Sequence, residues 1–563
     1  GDFLVEEDKT SFDIGAVNIE ENGSKEPVNY VLPPEIEREI NVGTTNNAQR
    51  NEQSISLNIC GLGDGKAKAA YRNFDLDVRS YKKIRMFVHG ESADPDQPLE
   101  DGELTAFVRL GTDFTNNYYE YEIPLEITEP GTYNNNSDNS RRQVWPDANN
   151  MVIEFSVLQD AKIARNNAVL TDGDVSNSSR YAYQAGKATI YVVGNPNLST
   201  LKTVMMGIRN PKKTINDIGD DGQPKCVEAW FNELRLTDFD DLGGWAAMAQ
   251  INSQLADFAS VSMSGSISTP GWGSIEKKVS ERQRETNQSF DISASMDLGK
   301  FLGEKPKVRI PMYVGYGINQ IKPQFNPLDP DILFEPYITE NYQDEGQQDS
   351  IREVSTTQTV RKSVNFTNVR KERGNTKKKP AFYDISNFSA SYSFSTTEFR
   401  DFETEFDNLK QHRGGLTYAY SGSPKNYRPF SKWKPVRSSK HLRLIRDFNF
   451  YLLPKSFGIT TDFNRRYNER KVRNNYPETT ADIRPFYDKT FNWNRNYNIR
   501  YDLSRAIKFD FAAGTQALIT EPLGAVDRDV YTDQYELWKD SVRSSIREGG
   551  TPMQFNNAFN ATW

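Results

Sequence analysis

At 563 residues with a net charge of −8, the chain is too long for one ordinary core, which implies two or more domains. Apolar residues make up 36% and mean hydropathy is −0.73, yet 27 Tyr, 32 Phe and 8 Trp are far too many aromatics for a disordered chain. No stretch approaches the roughly 18 uninterrupted apolar residues of a spanning helix, which excludes helical insertion and leaves a membrane barrel open, because barrel strands average out to a polar composition.

The charge is unevenly spread. Residues 1–250 hold 24 Lys and Arg against 40 Asp and Glu, a balance of −16; residues 251–563 hold 45 against 37, a balance of +8. The basic residues sit in loops such as NVRKERGNTKKKP, not on a helix or a Gly-aromatic RNA-binding signature. Nucleic acid is therefore not an expected partner.

The chain opens GDFLVEEDKT and ends inside the strand-like FNNAFNATW. Both ends are expected to be cuts in a longer polypeptide. Residues 1–50 read as an extended strap or linker, because the two prolines of YVLPPEIEREI enforce an extended backbone.

From 51 to 242 the pattern is short strands with turn punctuation: SISLNICGL, KKIRMFVHGE, ELTAFVRLG, YYEYEIPLEI, NMVIEFSVL, KATIYVVG, TVMMGIRN and VEAWFNELRLTDF. Their spacing and their Gly, Asn and Asp loops predict a soluble antiparallel sandwich of the jelly-roll kind. LQDAKIARNN predicts a short helix and SDNSRRQVWPDANN a long loop. Cys60 and Cys226 are the only cysteines; they could form a disulfide in an oxidising compartment or stay as two buried thiols.

Several residues in this half could carry chemistry. Glu120 and Glu122, two apart on a strand, share a sheet face as a glycosidase pair would, although alternation with Tyr119, Tyr121 and Ile123 favours a solvated outer face. Asp217, Asp220 and Asp221 before Gly222 could cup calcium, but an acidic hairpin turn accounts for them better. His89, His412 and His441 lack ligand-spaced partners. GLGDG lacks the Lys-Ser/Thr of a phosphate loop and reads as a turn. Neither a catalytic, a cofactor nor a metal constellation is expected.

After the Ala-rich linker GGWAAMAQINSQLADFAS the pattern changes. Val261, Met263, Gly265 and Ile267 alternate with serines; Phe290, Ile292, Ala294, Met296 and Leu298 alternate with Ser and Asp. Val308, Ile310, Met312, Val314, Tyr316 and Ile318 alternate with Arg309, Pro311, Tyr313, Gly315, Gly317 and Asn319. Similar rows run through NFSASYSFS, GLTYAYSGS, DFNFYLL, SFGITTDFNRRY, FNWNRNYNIRYDL and AIKFDFAAG. Residues 243–563 thus hold about nine strands, several longer than the usual five or six residues of a globular sheet.

Alternation alone also fits a sandwich; the polar face discriminates. A water-facing sheet collects Lys, Glu and Thr, whereas here the alternate positions are mostly Ser, Gly, Asn and Asp, small groups suited to a crowded or water-filled lumen. The apolar rows from Val261, Phe290 and Val308 carry no charge, as lipid would impose. Val261, Met263, Ile267, Phe290, Ile292, Met296, Leu298, Val308, Ile310, Met312 and Val314 are the expected lipid-facing residues. Arg495, among Phe491, Trp493, Tyr497 and Ile499, breaks the rule, so it lies at headgroup level or its strand has another register. Connections of unequal length suggest short turns at one rim and long loops at the other. Trp272, Trp433 and Trp493 are placed where an aromatic girdle would put them. In YELWKDSVRSSIRE, Trp538, Val542 and Ile546 give a one-faced amphipathic helix suited to packing on a loop or rim. The fold class is therefore all-β: an antiparallel jelly-roll-like sandwich followed by part of a very large transmembrane β-barrel.

NYVLPPEIERE, NEQSISL, GTDFTNNYYEYEIPL, GNPNLSTLKTVMMGIRNP, AWFNELRLTDFD, LADFASVSMSGSISTPGWGSIEKKVSER, VRIPMYVGYG, PQFNPLDPDI, VNFTNVRKER and YNIRYDLSRAIKFDF together resemble the SprA/Sov family, the outer-membrane translocons of the type IX secretion system of Bacteroidota. The blocks run in order from about residue 28 to 520. The resemblance implies an internal segment of a longer protein whose whole chain forms an exceptionally wide single-chain barrel in the cell outer membrane, with the sandwich as a soluble insertion at its mouth. It implies passage of folded cargo proteins bearing a C-terminal secretion signal, a PorV-like barrel partner, a periplasmic plug protein, and a role in gliding motility. Its further partners would be outer-membrane lipids and the remainder of the barrel. Two other readings stand beside it: a TonB-dependent-type uptake barrel, for which the sandwich makes a poor plug, and a soluble surface glycan-binding protein built from two sandwiches.

Overall fold

The computed structural model describes residues 10–38, 49–213, 221–240, 243–303, 305–374, 381–438, 441–475, 482–526, 528 and 531–563. The chain divides into two units. One is Gly1–Gly243 with Gly273–Arg282 and Phe325–Tyr337; the other is Gly244–Trp272 with Gln283–Gln324 and Ile338–Trp563. Ladders between the named strands are antiparallel throughout.

The first unit holds β1 (Ser11–Asn18), β2 (Gln53–Leu62), β3 (Ala67–Leu76), β4 (Tyr81–Ser92), β5 (Thr105–Gly111), β6 (Tyr118–Pro124), β7 (Met151–Glu154), β8 (Tyr181–Ala185), β9 (Ala188–Val193), β10 (Leu201–Arg209) and β11 (Lys225–Phe239). Two sheets result, ordered β1-β2-β11-β4-β7 and β3-β10-β5-β6-β9-β8. Period-two alternation decides what they bury. Val227, Ala229 and Phe231 of β11 join Leu57, Ile59, Val88, Val108 and Ile190 in one core fed by both sheets, while Trp230 looks the other way into a second cluster. Full burial of each such aliphatic side chain stabilises by roughly 1.5–3 kcal/mol.

Two helices, α1 (Asp138–Val144) and α2 (Phe155–Thr171), complete this unit. The α1 segment was expected to be a loop. Ser137 Oγ accepts from Ser140 N at 3.4 Å and Asp138 pairs with Arg142 four residues on at 3.1 Å, an N-cap and a spacing that together start a helix. The sequence-predicted helix lies inside α2 and is longer than expected. Residues 11–18, assigned to the strap, instead form the edge strand β1. The Pro-rich stretch is neither extended throughout nor peripheral: it turns at residues 34–35, where Glu35 has a positive φ, Val28, Tyr30 and Val31 are fully buried against Trp145 and Trp230, and Trp145 Nε1 donates to Val31 O at 2.9 Å. Its last two residues, 39 and 40, lie outside the described residues.

The second unit holds β12 (Ala246–Leu255), β13 (Ala259–Ser268), β14 (Glu285–Asp297), β15 (Val308–Arg309), β16 (Pro311–Pro323), β17 (Thr357–Lys371), β18 (Phe388–Arg400), β19 (Thr404–Ser421), β20 (Asn426–Tyr427), β21 (Phe450–Tyr451), β22 (Ser456–Val472), β23 (Phe486–Asp502), β24 (Lys508–Leu518) and β25 (Thr551–Thr562). One sheet runs β12-β13-β14-β16-β17-β18-β19-β22-β23-β24-β25, with β15 attached to β17. It is open along this path, ending at β12 and β25, every residue of which is exposed. Connections carry α3 (Phe334–Asn341), α4 (Glu345–Ser355), α5 (Lys434–Ser438), α6 (Arg443–Asp447) and α7 (Thr532–Glu548).

Strand and linker assignments differ from expectation in three places. Residues 246–255, read as linker, form β12. Residues 357–371 form the unforeseen β17, and DFNFYLL contributes only the two-residue β21. Connection length does not distinguish the sheet's two ends. Residues 401–403 and 519–550 join strands at one end, and 256–258 and 422–455 at the other, so short and long links occur at both.

Candidate functional site

The second unit's pairing brings the apolar alternate residues onto one face. Val261 is opposite Ala294, which is opposite Val314, which is opposite Val364, then Phe394. Met263, Ile292 and Tyr316 form the next row, and Phe290 and Ile318 the one after. β12 continues the face, since Ile251 meets Met263 and Ala247 meets Ile267. None of the Val, Ile and Met residues of β13, β14 and β16 is buried, and Phe290 is 40% exposed. A water-soluble protein of this many strands would cover such a face with a second layer.

The expected lipid-facing residues fall in two groups. Val261, Met263, Ile267, Phe290, Ile292, Met296, Met312 and Val314 lie in the register just given. Leu298 and Ile310 lie beyond the strands: Leu298 opens a 3-10 turn, and the two are joined by a Leu298 N to Ile310 O bond of 3.0 Å. Val308 belongs to β15 and is opposite Lys371, a register slipped by one from Met312 opposite Phe366. Asp297 explains the break, because its Oδ1 accepts from both Gly299 N at 3.0 Å and Ile310 N at 2.9 Å.

The opposite face is made of small polar groups. Ser264 faces Asp291, which faces Gly317, and Gly415 faces Asp462, which faces Asn494. At Gly317 an added Cβ would stand 2.3 Å from Asp291 Oδ1, and at Gly415 it would stand 2.6 Å from Asp462 Oδ1, so each glycine makes room for the carboxylate across the ladder. Asn492, Asn494, Asn496 and Asn498 give β23 a row of amides on this side. An open cleft of about 590 Å³ is lined here by Asn365, Ser393, Arg413, Gly415, Asp462 and Asn464 among others.

Charges on the apolar face include Lys362 of β17 and Glu398 of β18, which pair at 2.9 Å, Lys410 of β19, and Arg465, Lys489 and Arg495 of β22 and β23. Arg495 does share the face of Phe491, Trp493 and Tyr497; the register is as read and the arginine is covered. Its Nη2 donates to Gly549 O at 3.0 Å, at the C-terminus of α7 where a cation is favoured, and its guanidinium lies 4.2 Å from the Trp493 ring centroid. Arg465 pairs with Glu521 at 2.6 Å and lies 4.7 Å from the Trp538 centroid. Lys489 Nζ donates to Pro522 O at 2.9 Å. All three acceptors come from the connection 519–550. Val542 of α7 is buried and Ile546 half-buried. Trp493 stacks on Phe463 at 5.0 Å inside β23, whereas Trp272 and Trp433 are exposed in connections.

In the first unit Glu120 and Glu122 do share a face, but that face is not solvated. Glu120 is fully buried and takes Arg109 at 2.6 Å, Arg180 at 2.5 Å and Arg209 at 2.9 Å; Glu122 binds Arg209 and lies 3.4 Å from Arg180. Burial opposes ionisation of Glu120, but Arg209, Arg109 and Arg180 outweigh it and hold the carboxyl below its ordinary value. Burial pushes the Glu122 carboxyl up, with the Glu120 charge adding to it against Arg209 and Thr105. Opposite shifts characterise acid and base pairs, but both Glu120 oxygens are already engaged by arginines, which leaves the pair no open side for a sugar.

Cys60 and Cys226 are joined in a disulfide between neighbouring strands. Asp217 and Asp220 lie outside the described residues, and Asp221 Oδ1 accepts from Gln223 N at 2.8 Å. Among the described residues no group of three His, Cys, Asp or Glu is placed to hold a metal. His89 is buried, stacked on Trp230 at 3.9 Å, with Nδ1 2.7 Å from Val144 O; His412 is 3.0 Å from the Tyr392 hydroxyl, and His441 is exposed. Asp64 and Gly65 form a turn with Gly65 at positive φ, whereas Gly61, also at positive φ, lies inside β2 at the register shift against β11.

Sequence reasoning missed the burial of Asn326, Asp331 and Ile332 within PQFNPLDPDI. Lys162 is fully buried and lies 3.0 Å from both Asp329 and Asp331, and Tyr119 Oη donates to Asp331 Oδ2 at 2.6 Å. The Asp-Pro-Asp spacing beside apolar residues was the available signal.

The SprA_N family, described as a motility related/secretion protein, matches residues 2–338. No curated protein matches the chain.

Proposed function

We propose that this chain, which belongs to the SprA_N family of motility-related secretion proteins, forms part of the wall of an outer-membrane channel that conducts folded proteins in type IX secretion. The carrying observation is the open sheet β12 to β25, with an apolar face that connections cover only in part and a face of Ser, Asn, Gly and Asp. Hydrocarbon stabilises the first face without a second protein layer. The second suits a wide aqueous duct, because polar and mostly small groups hold water and offer folded cargo few apolar contacts.

On this reading β12 to β25 are consecutive strands of a larger transmembrane barrel, whose remaining strands satisfy the unpaired edges of β12 and β25. The first unit is then a soluble jelly-roll-like domain outside the bilayer. The partners are outer-membrane lipid, cargo with a C-terminal secretion signal, a PorV-like barrel and a periplasmic plug protein. The chain is a conduit and performs no catalysis.

The test is made in cells. Ser264→Trp and Asn496→Trp, both on the polar face, should lower surface delivery of folded cargo while the protein remains in the outer-membrane fraction. Recovery of the chain in the soluble fraction, or unchanged cargo delivery after its deletion, would overturn the proposal.

A further inference from the structure

The apolar face does not follow the hydrogen-bonded rows. One row can be traced through eight strands: Met263, Ile292, Tyr316, Lys362, Thr396, Lys410, Tyr467 and Lys489. It is apolar over β13 to β16 and becomes basic or polar from β17 onward. Another row, Tyr420, Phe457, Ile499, Phe511 and Phe559, is aromatic or aliphatic throughout. The apolar run therefore slides along the strands from one to the next.

The slide can be measured. On β14 the apolar residues of this face are Phe290, Ile292, Ala294 and Met296, centred on Ser293; that residue's row leads through Gly315, Ser363, Ser395, Gln411 and Arg466 to Thr490 on β23. On β23 the apolar residues of this face beyond Arg495 are Tyr497, Ile499 and Tyr501, centred on Ile499, nine residues beyond Thr490. At ~3.3 Å per residue that is ~30 Å along the strands, and the six strand spacings from β14 to β23 are ~29 Å at ~4.8 Å each. A line of constant polarity thus crosses the strands at about 45°, the tilt of strands in a transmembrane barrel. A face in water has no reason to slant, whereas a bilayer imposes one direction on every strand it touches.

We infer that the lipid-contacting surface is a belt slanted about 45° across the rows, from Phe290–Met296 on β14 to Tyr497–Tyr501 on β23, and that the connection 519–550 stands just outside the hydrocarbon as a protein cover for Arg465, Lys489 and Arg495. This rests on the membrane reading above and adds which residues lipid touches. The cover fits that position. It supplies an acceptor to each of the three basic residues, and the side of α7 turned from the sheet carries Asp533, Glu536, Asp540, Arg547 and Glu548, which belongs in water or among headgroups.

Nitroxide labels at single cysteines test this in the chain as the cell makes it, returned to phosphatidylethanolamine and phosphatidylglycerol vesicles. The sites are Phe290→Cys, Ile499→Cys and Leu537→Cys on the exposed side of α7. The readout is relaxation by oxygen against a water-soluble nickel chelate. Phe290 and Ile499 should both show oxygen access without nickel, and Leu537 should show nickel access. Hydrocarbon at Phe290 with water at Ile499 would overturn the slant and leave the membrane reading standing; water at both would overturn that reading itself. Hydrocarbon at Leu537 would overturn the cover. Phe511→Cys, beside Ile499 in its row, replaces Ile499→Cys if that variant does not assemble.

Discussion

Lys162 Nζ lies 3.0 Å from Asp331 Oδ1, and neither side chain reaches solvent. The two come from distant parts of the chain, one from α2 and the other from Phe325–Tyr337, yet both belong to the first unit. Asp331 also accepts from Tyr119, and Pro196 O from Lys162 at 2.9 Å. Breaking a buried pair by removing one partner costs about 3–5 kcal/mol, because a charge is left without its counterpart. Asp329, also 3.0 Å from Lys162, keeps the lysine partly paired, so Asp331→Ala should loosen residues 325–337 by less than that amount, seen as faster amide exchange there. Tyr119→Phe removes one hydrogen bond and should cost only about 1 kcal/mol.

The Glu120 and Glu122 carboxyls should respond to acid with opposite signs. Glu120 is held below its ordinary 4.5 in the folded protein, so its contribution is complete above that value and is lost as pH falls through the folded value. Glu122 is pushed up, so ionising it at neutral pH costs stability instead. Glu120→Gln should destabilise at pH 7 and flatten the acid limb of a melting-temperature profile. Glu122→Gln should be tolerated at pH 7; equal losses from both variants would contradict the assigned shifts.

Alternation made much of the second unit legible, because a sheet that buries neither face in protein must write its surroundings into every second residue. β13, β14 and β16 were readable for that reason. β12 was not: AAMAQINSQL alternates Ala with Met and Gln, a weak contrast that also suits a helix. β17 was hidden by Arg361 and Lys362 within VRKSVNF, and the slant explains Lys362, since β17 is where its row leaves the belt. In the first unit most strands were visible, but β1, β3 and β8 were not, and neither were the ion pairs. Spacing placed Glu120 and Glu122 on one face, but no local pattern announces that Arg109, Arg180 and Arg209 converge there from three other segments. The covering of Arg495 by residues 519–550 was equally invisible, being a contact between segments over fifty residues apart.

Reduction should weaken the first unit. The Cys60–Cys226 bond closes a sequence separation of 166 residues, and on the chain-entropy account a loop of that order constrains the unfolded state by about 5 kcal/mol. Treatment with dithiothreitol, or Cys60→Ser with Cys226→Ser, should lower the melting temperature of this unit. The ladder between β2 and β11 should persist at low temperature, because Leu57, Ile59 and Val227 stay packed in the core.

A matched pair of arginine substitutions separates lipid from water as the neighbour of the sheet. Val314→Arg sits in the apolar row with Val261, Ala294 and Val364, inside the belt. Ser264→Arg sits on the opposite face, in an open cleft already lined by Asp291 and Arg361. Against hydrocarbon the first should cost about 2–4 kcal/mol near the midplane, which lowers the assembled fraction by about tenfold for each 1.4 kcal/mol. The second meets water and a carboxylate, and should assemble as the parent does, measured as heat-modifiable protein in washed outer membranes. If water bathed both faces, an arginine at the half-exposed Val314 would cost little and the two variants would assemble alike, so the ratio between them reports directly on what touches Val314.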